Sequence, residues 1–139
     1  MNFMDTLDYS TEEMVISRHN YLKALNVLLA LDPQLDASIG PDYTNAEALV
    51  ECLTAYGLWA EENKNGIEIT GLQQTSNWEE IAGCLDVLTP FIRDEASLSR
   101  VDADGNETRM EFRSGTMREV YYAGEQEEDF ELHNVFLES

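Results

Sequence analysis

The sequence predicts an α+β protein, with about three helices packed on one face of an antiparallel sheet that ends in a C-terminal β-meander. Three observations predict it. Apolar residues recur at three- and four-residue spacing in three separate stretches, and alternating stretches are joined by short glycine-containing turns. Helices also alternate with hairpins along the chain, the order expected when helices cover one side of antiparallel strands. The 139 residues are 43% hydrophobic, enough apolar material for one core. We therefore expect one domain over 1–139, with an acidic C-terminal segment at 123–139.

Residues 1–12 read as a loose acidic lead-in to the apolar run Met14-Val15-Ile16. Ser17 is placed to cap a first helix that carries Tyr21, Leu22, Leu25, Leu28 and Leu29 and stops near Asp32-Pro33. Ser10 with Glu13 offers an alternative start two turns earlier. Pro33, Gly40 and Pro41 mark a connecting loop over 33–43. Thr44 with Glu47 forms a capping box for a second helix, which Gly57 ends. Leu58 to Glu62 and Ile67 to Thr70 flank Asn63-Lys64-Asn65-Gly66, where Asn-Gly suggests a hairpin turn with positive φ. Asn77 with Glu80 starts a third helix that runs toward Pro90. Strands follow at Leu98 to Val101, Glu107 to Arg113 and Met117 to Tyr122, with turns at Asp102 to Gly105 and Ser114-Gly115.

Charge narrows the function more than any motif does. The chain holds 28 acids against 8 Lys and Arg, a formal net charge of -20. Such a surface repels a phosphate backbone and an anionic membrane, so neither nucleic acid nor lipid is an expected direct partner. A basic protein is, and the field of the whole molecule would steer the encounter. The acids are unevenly spread. Residues 94–122 carry seven acids and four bases, whereas 123–139 carry six acids and no base. Arg109, Glu111 and Arg113 share a strand face with Glu107 and read as cross-strand pairing.

The candidate partner-binding acids are Glu61, Glu62 and Glu68 around the first hairpin, Glu79, Glu80 and Asp86 on the third helix, and Glu125, Glu127, Glu128, Asp129 and Glu131 in the tail. Carboxylates two apart on a strand, or four apart on a helix, lie about 6 Å apart, near the spacing of successive phosphates on one strand. The tail acids are followed by Phe130, Leu132, Val135, Phe136 and Leu137, a mixture suited either to a basic, partly apolar groove or to a terminal element packed on the domain.

Catalytic chemistry finds little footing. There are two histidines, His19 and His133, and His19 reads as a surface residue. No phosphate-binding glycine loop, GxSxG elbow, HExxH or CxxC pattern occurs. Asp102-Ala103-Asp104-Gly105-Asn106-Glu107 resembles the start of an EF-hand loop. It has Glu107 at the glycine position and Arg113 in place of the bidentate acid, so a hairpin turn is the simpler reading. Cys52 and Cys84 fall within helical stretches as small buried hydrophobes and imply a reducing, cytoplasmic setting. Neither cofactor nor metal is expected.

Trp78-Glu79-Glu80-Ile81, Leu88-Thr89-Pro90-Phe91-Ile92, Asp104-Gly105, Arg109-Met110-Glu111-Phe112, Gly115 and Glu119-Val120-Tyr121-Tyr122 together resemble small acidic proteins of bacterial mobile elements. In composition the chain is similar to acidic inhibitors, including nucleic-acid-mimicking antirestriction and anti-CRISPR proteins and nuclease immunity proteins. That resemblance implies a non-enzymatic binding protein that occupies the nucleic-acid surface of a defence nuclease or toxin, in its narrowest form as a DNA mimic. The alternative is an adaptor module whose acidity serves solubility.

Overall fold

Two antiparallel sheets and three α-helices make up the computed structural model, which describes residues 8–73 and 77–123. The first strand, β1 (Asp8–Glu12), pairs with β5 (Ser97–Val101), which continues into β6 (Glu107–Arg113) and β7 (Thr116–Tyr122) in the order β1-β5-β6-β7. The second sheet has the order β2-β4-β3, built from β2 (Val15–Ile16), β3 (Leu58–Asn63) and β4 (Gly66–Leu72). The α+β class and the C-terminal meander hold, with the strands divided between two sheets.

The N-terminal residues depart most from expectation. Asp8–Glu12 is a strand, so Ser10 faces Ser99 across the ladder, with 2.8 Å between their hydroxyls, and starts no helix. Glu13 then adopts φ 55, a left-handed conformation that turns the chain out of one sheet and into the other. Ser17 makes no side-chain cap. It precedes a 3-10 turn at Arg18–Asn20, and α1 occupies Tyr21–Leu31.

The remaining elements follow local chemistry closely. Asp32 ends α1 and accepts the Gln34 N–H, opening a 3-10 turn over Pro33–Ser38 within the expected loop. Helix α2 (Asn45–Ala55) begins on a complete capping box: the Thr44 hydroxyl accepts the Glu47 N–H at 3.1 Å, and Glu47 accepts the Thr44 N–H at 2.8 Å. Gly57, at φ 100, closes it. Asn77 caps α3 (Trp78–Leu88) by accepting the Glu80 N–H. Pro90 lies in a 3-10 turn at Thr89–Phe91, and Ile92 leaves helical spacing to bridge Ile16.

In the β3–β4 hairpin, Asn63 faces Gly66, and neither Lys64 nor Asn65 has positive φ. Asn63 Oδ1 accepts the Asn65 N–H instead, and it is Gly66 that takes φ 136. A Cβ on Gly66 would lie 2.2 Å from the Ile16 carbonyl oxygen, so glycine here lets β2 lie against the hairpin.

One apolar cluster joins these parts. Ile16, Ile67 and Ile69 from the smaller sheet, Leu28, Leu49, Leu53, Ile81 and Leu85 from the helices, and Leu98, Met110 and Phe112 from the larger sheet are all at most 2% exposed. Among the described residues no helix is long and apolar enough to cross a membrane.

Candidate partner-binding groove between α2 and β3

Tyr56 and Gly57 join α2 to β3 by a tight reversal, so the strand runs back alongside the helix it has just left. Three to four residues along β3 at about 3.3 Å each cover about 10 to 13 Å, and five to nine back along α2 at about 1.5 Å each cover about 8 to 14 Å, an overlapping range. Glu61 and Glu62 are thereby carried to the level of Glu47 and Glu51. Glu47 and Glu51 lie four apart on one helix face, beside the buried stripe of Ala48, Leu49, Cys52 and Leu53. The four carboxylates surround an open groove of about 340 Å³ whose remaining lining is Tyr43, Ala46 and Val50.

Two of the four are tied down. Glu47 serves the capping box, and Glu62 accepts the Tyr21 hydroxyl at 3.1 Å with Arg18 Nε at 3.8 Å. The Tyr21 hydroxyl is raised above its ordinary pKa by burial first and then by Glu62. No hydrogen bond or ion pair from a described residue reaches the carboxylates of Glu51 or Glu61. The groove thus combines an apolar floor with anionic walls, and no described Lys or Arg lines it, Arg18 approaching only Glu62. Such a lining suits a lysine or arginine, whose aliphatic stem covers apolar surface while its charged head meets carboxylates.

The other expected acids are dispersed. Glu68 faces Glu61 in the β3–β4 ladder but is half-buried and accepts the Asn63 amide at 2.9 Å. Glu80 and Asp32 line a separate depression of about 370 Å³ with Leu31, Leu35, Ala55, Tyr56 and Gly83. Burial first, then the thiols of Cys84 and Cys52 and the carboxylates of Asp32 and Glu80, push the Tyr56 hydroxyl up to about 12. Glu79 and Asp86 are exposed on α3 and line neither cavity. Glu125, Glu127, Glu128, Asp129 and Glu131 lie outside the described residues.

Glu47 and Glu51 are the acids that sequence reasoning missed. Their signal was a four-residue spacing on a helix joined by a glycine reversal to an acidic strand, which reads as capping and solvation until the two elements are laid side by side.

The meander uses charge differently. Arg109 donates to Glu107 of its own strand at 2.9 and 3.2 Å and lies 4.0 Å from Glu111, while Arg118 reaches across from β7 to Glu111 at 2.8 Å. Arg113 pairs with Glu95 at 3.0 Å. These bonds raise the Arg109 and Arg118 guanidinium pKa values further. Arg109 is thus paired mainly along its strand, and Arg118 supplies the cross-strand bond. The EF-hand-like segment is a turn. Asp102 Oδ1 accepts the N–H groups of Asp104 and Asn106, which lowers its pKa, with Gly105 at φ 84. Among the described residues no group of three or more His, Cys, Asp or Glu is placed to hold a metal. His19 is exposed, and Cys52 and Cys84 are fully buried free thiols.

Fold and groove together define an α+β protein with an anionic, apolar-floored recess. No protein-family model, curated protein or solved structure matches the chain.

Proposed function

We propose that this protein is a non-enzymatic binding protein that engages a basic partner through the α2–β3 groove. The observation that carries the proposal is the ring of Glu47, Glu51, Glu61 and Glu62 around an apolar floor, with Glu51 and Glu61 unpaired by any described residue. A cationic side chain of the partner supplies the missing counter-charge. The partner's basic surface is one that ordinarily binds nucleic acid, so its occupation by this chain inhibits it, as for a defence nuclease or toxin. Support for a strict copy of a phosphate ladder is narrower, because Glu61 and Glu68 face each other while Glu79, Glu80 and Asp86 lie elsewhere. Two free, buried thiols fit a reducing cytoplasm.

The test is capture of partners from a host lysate with the wild type and with a Glu51→Lys/Glu61→Lys variant, at about 50 and about 200 mM salt. Nucleic-acid-binding proteins held at low salt, released at high salt and lost with the variant are expected. Equal retention by the variant at both salts would sink the proposal. Reversal of Glu127, Glu128 and Asp129 measures the tail's share of the same binding.

A further inference from the structure

Among the described residues, strand β7 lies at one edge of the larger sheet, with β1 at the other. It is seven residues long, pairs with β6 without a register shift, and contains no proline. Natural sheets usually blunt such edges with bulges, prolines or lysines, since unpaired amides recruit another strand. Ser114-Gly115 is a two-residue loop, so Thr116, Arg118, Val120 and Tyr122 direct their amides toward β6. Met117, Glu119 and Tyr121 direct theirs outward, and among the described residues nothing bonds to them. Tyr121 and Tyr122 are 63% and 45% exposed at the end of this edge.

The side chains select the occupant. A two-fold axis normal to the sheet pairs residues of like parity, and three such registers pair at least five of the seven β7 residues. Centring on Arg118 opposes two arginines, and centring on Glu119 opposes two glutamates, both unfavourable. Centring on Val120 places valine on valine, Arg118 against the second copy's Tyr122, and Glu119 against its Tyr121. Arginine over a tyrosine ring is already present within the chain, with Arg109 5.7 Å from the Tyr122 ring centre. Glu119 Oε2 accepts the Trp78 indole N–H at 2.7 Å, which leaves its other oxygen for a tyrosine hydroxyl. This edge also lies in the segment, 94–122, where acids and bases are most nearly balanced.

We propose that two copies of this chain pair β7 to β7, antiparallel with Val120 on the axis, to form one continuous eight-stranded sheet. The surface is distinct from the groove, and its salt response has the opposite sign. Screening weakens repulsion between two anionic copies, so association tightens as salt rises, whereas engagement of a basic partner loosens.

The experiment is sedimentation of the full chain over a concentration series at low and high salt, with two variants. A dimer that tightens with salt, is lost in Glu119→Pro, and becomes covalent in Val120→Cys under oxidised glutathione is expected. Val120 faces its own copy at a non-hydrogen-bonded position, where the chains approach most closely, and native Cys52 and Cys84 are buried. Three outcomes overturn the proposal: a monomer with rapid amide exchange at Met117, Glu119 and Tyr121; a monomer with those amides protected, which assigns the edge to another segment of the same chain; and a dimer that Val120→Cys does not cross-link. Amide exchange is read on the wild type, so a variant that fails to fold leaves the result decisive.

Discussion

The two sides of the molecule handle charge in opposite ways. On the meander, Arg109, Arg113 and Arg118 each meet a carboxylate of their own sheet or of the loop before it. At the α2–β3 groove, four carboxylates gather around apolar side chains with one arginine at 3.8 Å. Paired charge at a surface adds little stability but fixes which strands face each other. Unpaired like charge held on a rigid scaffold costs some stability and leaves a binding capacity in place. The net charge of -20 therefore includes acids of two unlike kinds, those of the meander paired within the fold and Glu51 and Glu61 at the groove left unpaired by any described residue.

The two sides share one core, which sets the largest expected effects. Leu53→Ala beneath α2 and Phe112→Ala beneath the meander should each cost about 3 to 5 kcal/mol, measured by denaturant unfolding. Both should retain a single transition, because Leu53 and Phe112 belong to one apolar cluster. Separate transitions for helices and meander would break the comparison at its root.

High pH gives the next effect. Burial first, then the nearby acids Glu51, Asp32 and Asp36, push the Cys52 thiol from its ordinary 9.0 up to about 11. Between those values the native state keeps a proton that the unfolded chain loses. Cys52's contribution to stability is complete below about pH 9 and falls by about 3 kcal/mol as pH approaches 11, measured as the difference between wild type and Cys52→Ser in unfolding across that range. The Cys84 thiol and the Tyr56 hydroxyl are raised by burial too and act in the same direction, so Cys52→Ser should remove only Cys52's share of the slope. The same burial predicts that neither thiol reacts with an alkylating reagent at pH 8 until the protein unfolds.

Smaller effects separate the sides. Thr44→Ala removes half of the capping box at the groove and should cost about 1 kcal/mol. Neutralising the groove with Glu51→Gln/Glu61→Gln should leave stability unchanged or raise it by a few tenths of a kcal/mol while abolishing partner binding. Glu111→Gln on the meander, where one carboxylate meets two arginines, should lower stability by up to about 1 kcal/mol and leave partner binding intact. Equal signs in the two unfolding experiments would erase the distinction.

Elements with local chemistry were legible in the sequence. The Thr44 capping box, the Asn77 cap, Gly57 and the meander turns each depend on residues within a few positions of one another. Asp8–Glu12 was not legible, since its pairing with Ser97–Val101 is supplied almost ninety residues away and its own pattern is polar. The Asn65-Gly66 turn misled in part for the same reason: glycine is required there by its own φ of 136 and also by the Ile16 backbone, while Asn65 takes no positive φ. Half of the groove was legible. Glu61 and Glu62 stood out as an acidic pair, while Glu47 and Glu51 looked like an ordinary solvated helix face until the reversal at Gly57 laid them beside β3. The split of strands into two sheets depends on Glu13 taking a left-handed conformation that its residue type does not announce.

That turn at Glu13 has a consequence for how the chain is made. Residues on its two sides join different sheets: Asp8–Glu12 waits for Ser97–Val101, and Val15–Ile16 waits for Ile67 and Glu68, then for Ile92. During synthesis Asp8–Glu12 leaves the ribosome before its partner and finds it only after almost ninety residues have followed. The helices and the β3–β4 hairpin form from near neighbours in the meantime. Closure of the N-terminal strand is thus a late, long-range step, the kind that slows folding, and until it occurs β5 presents one bare edge in the nascent protein.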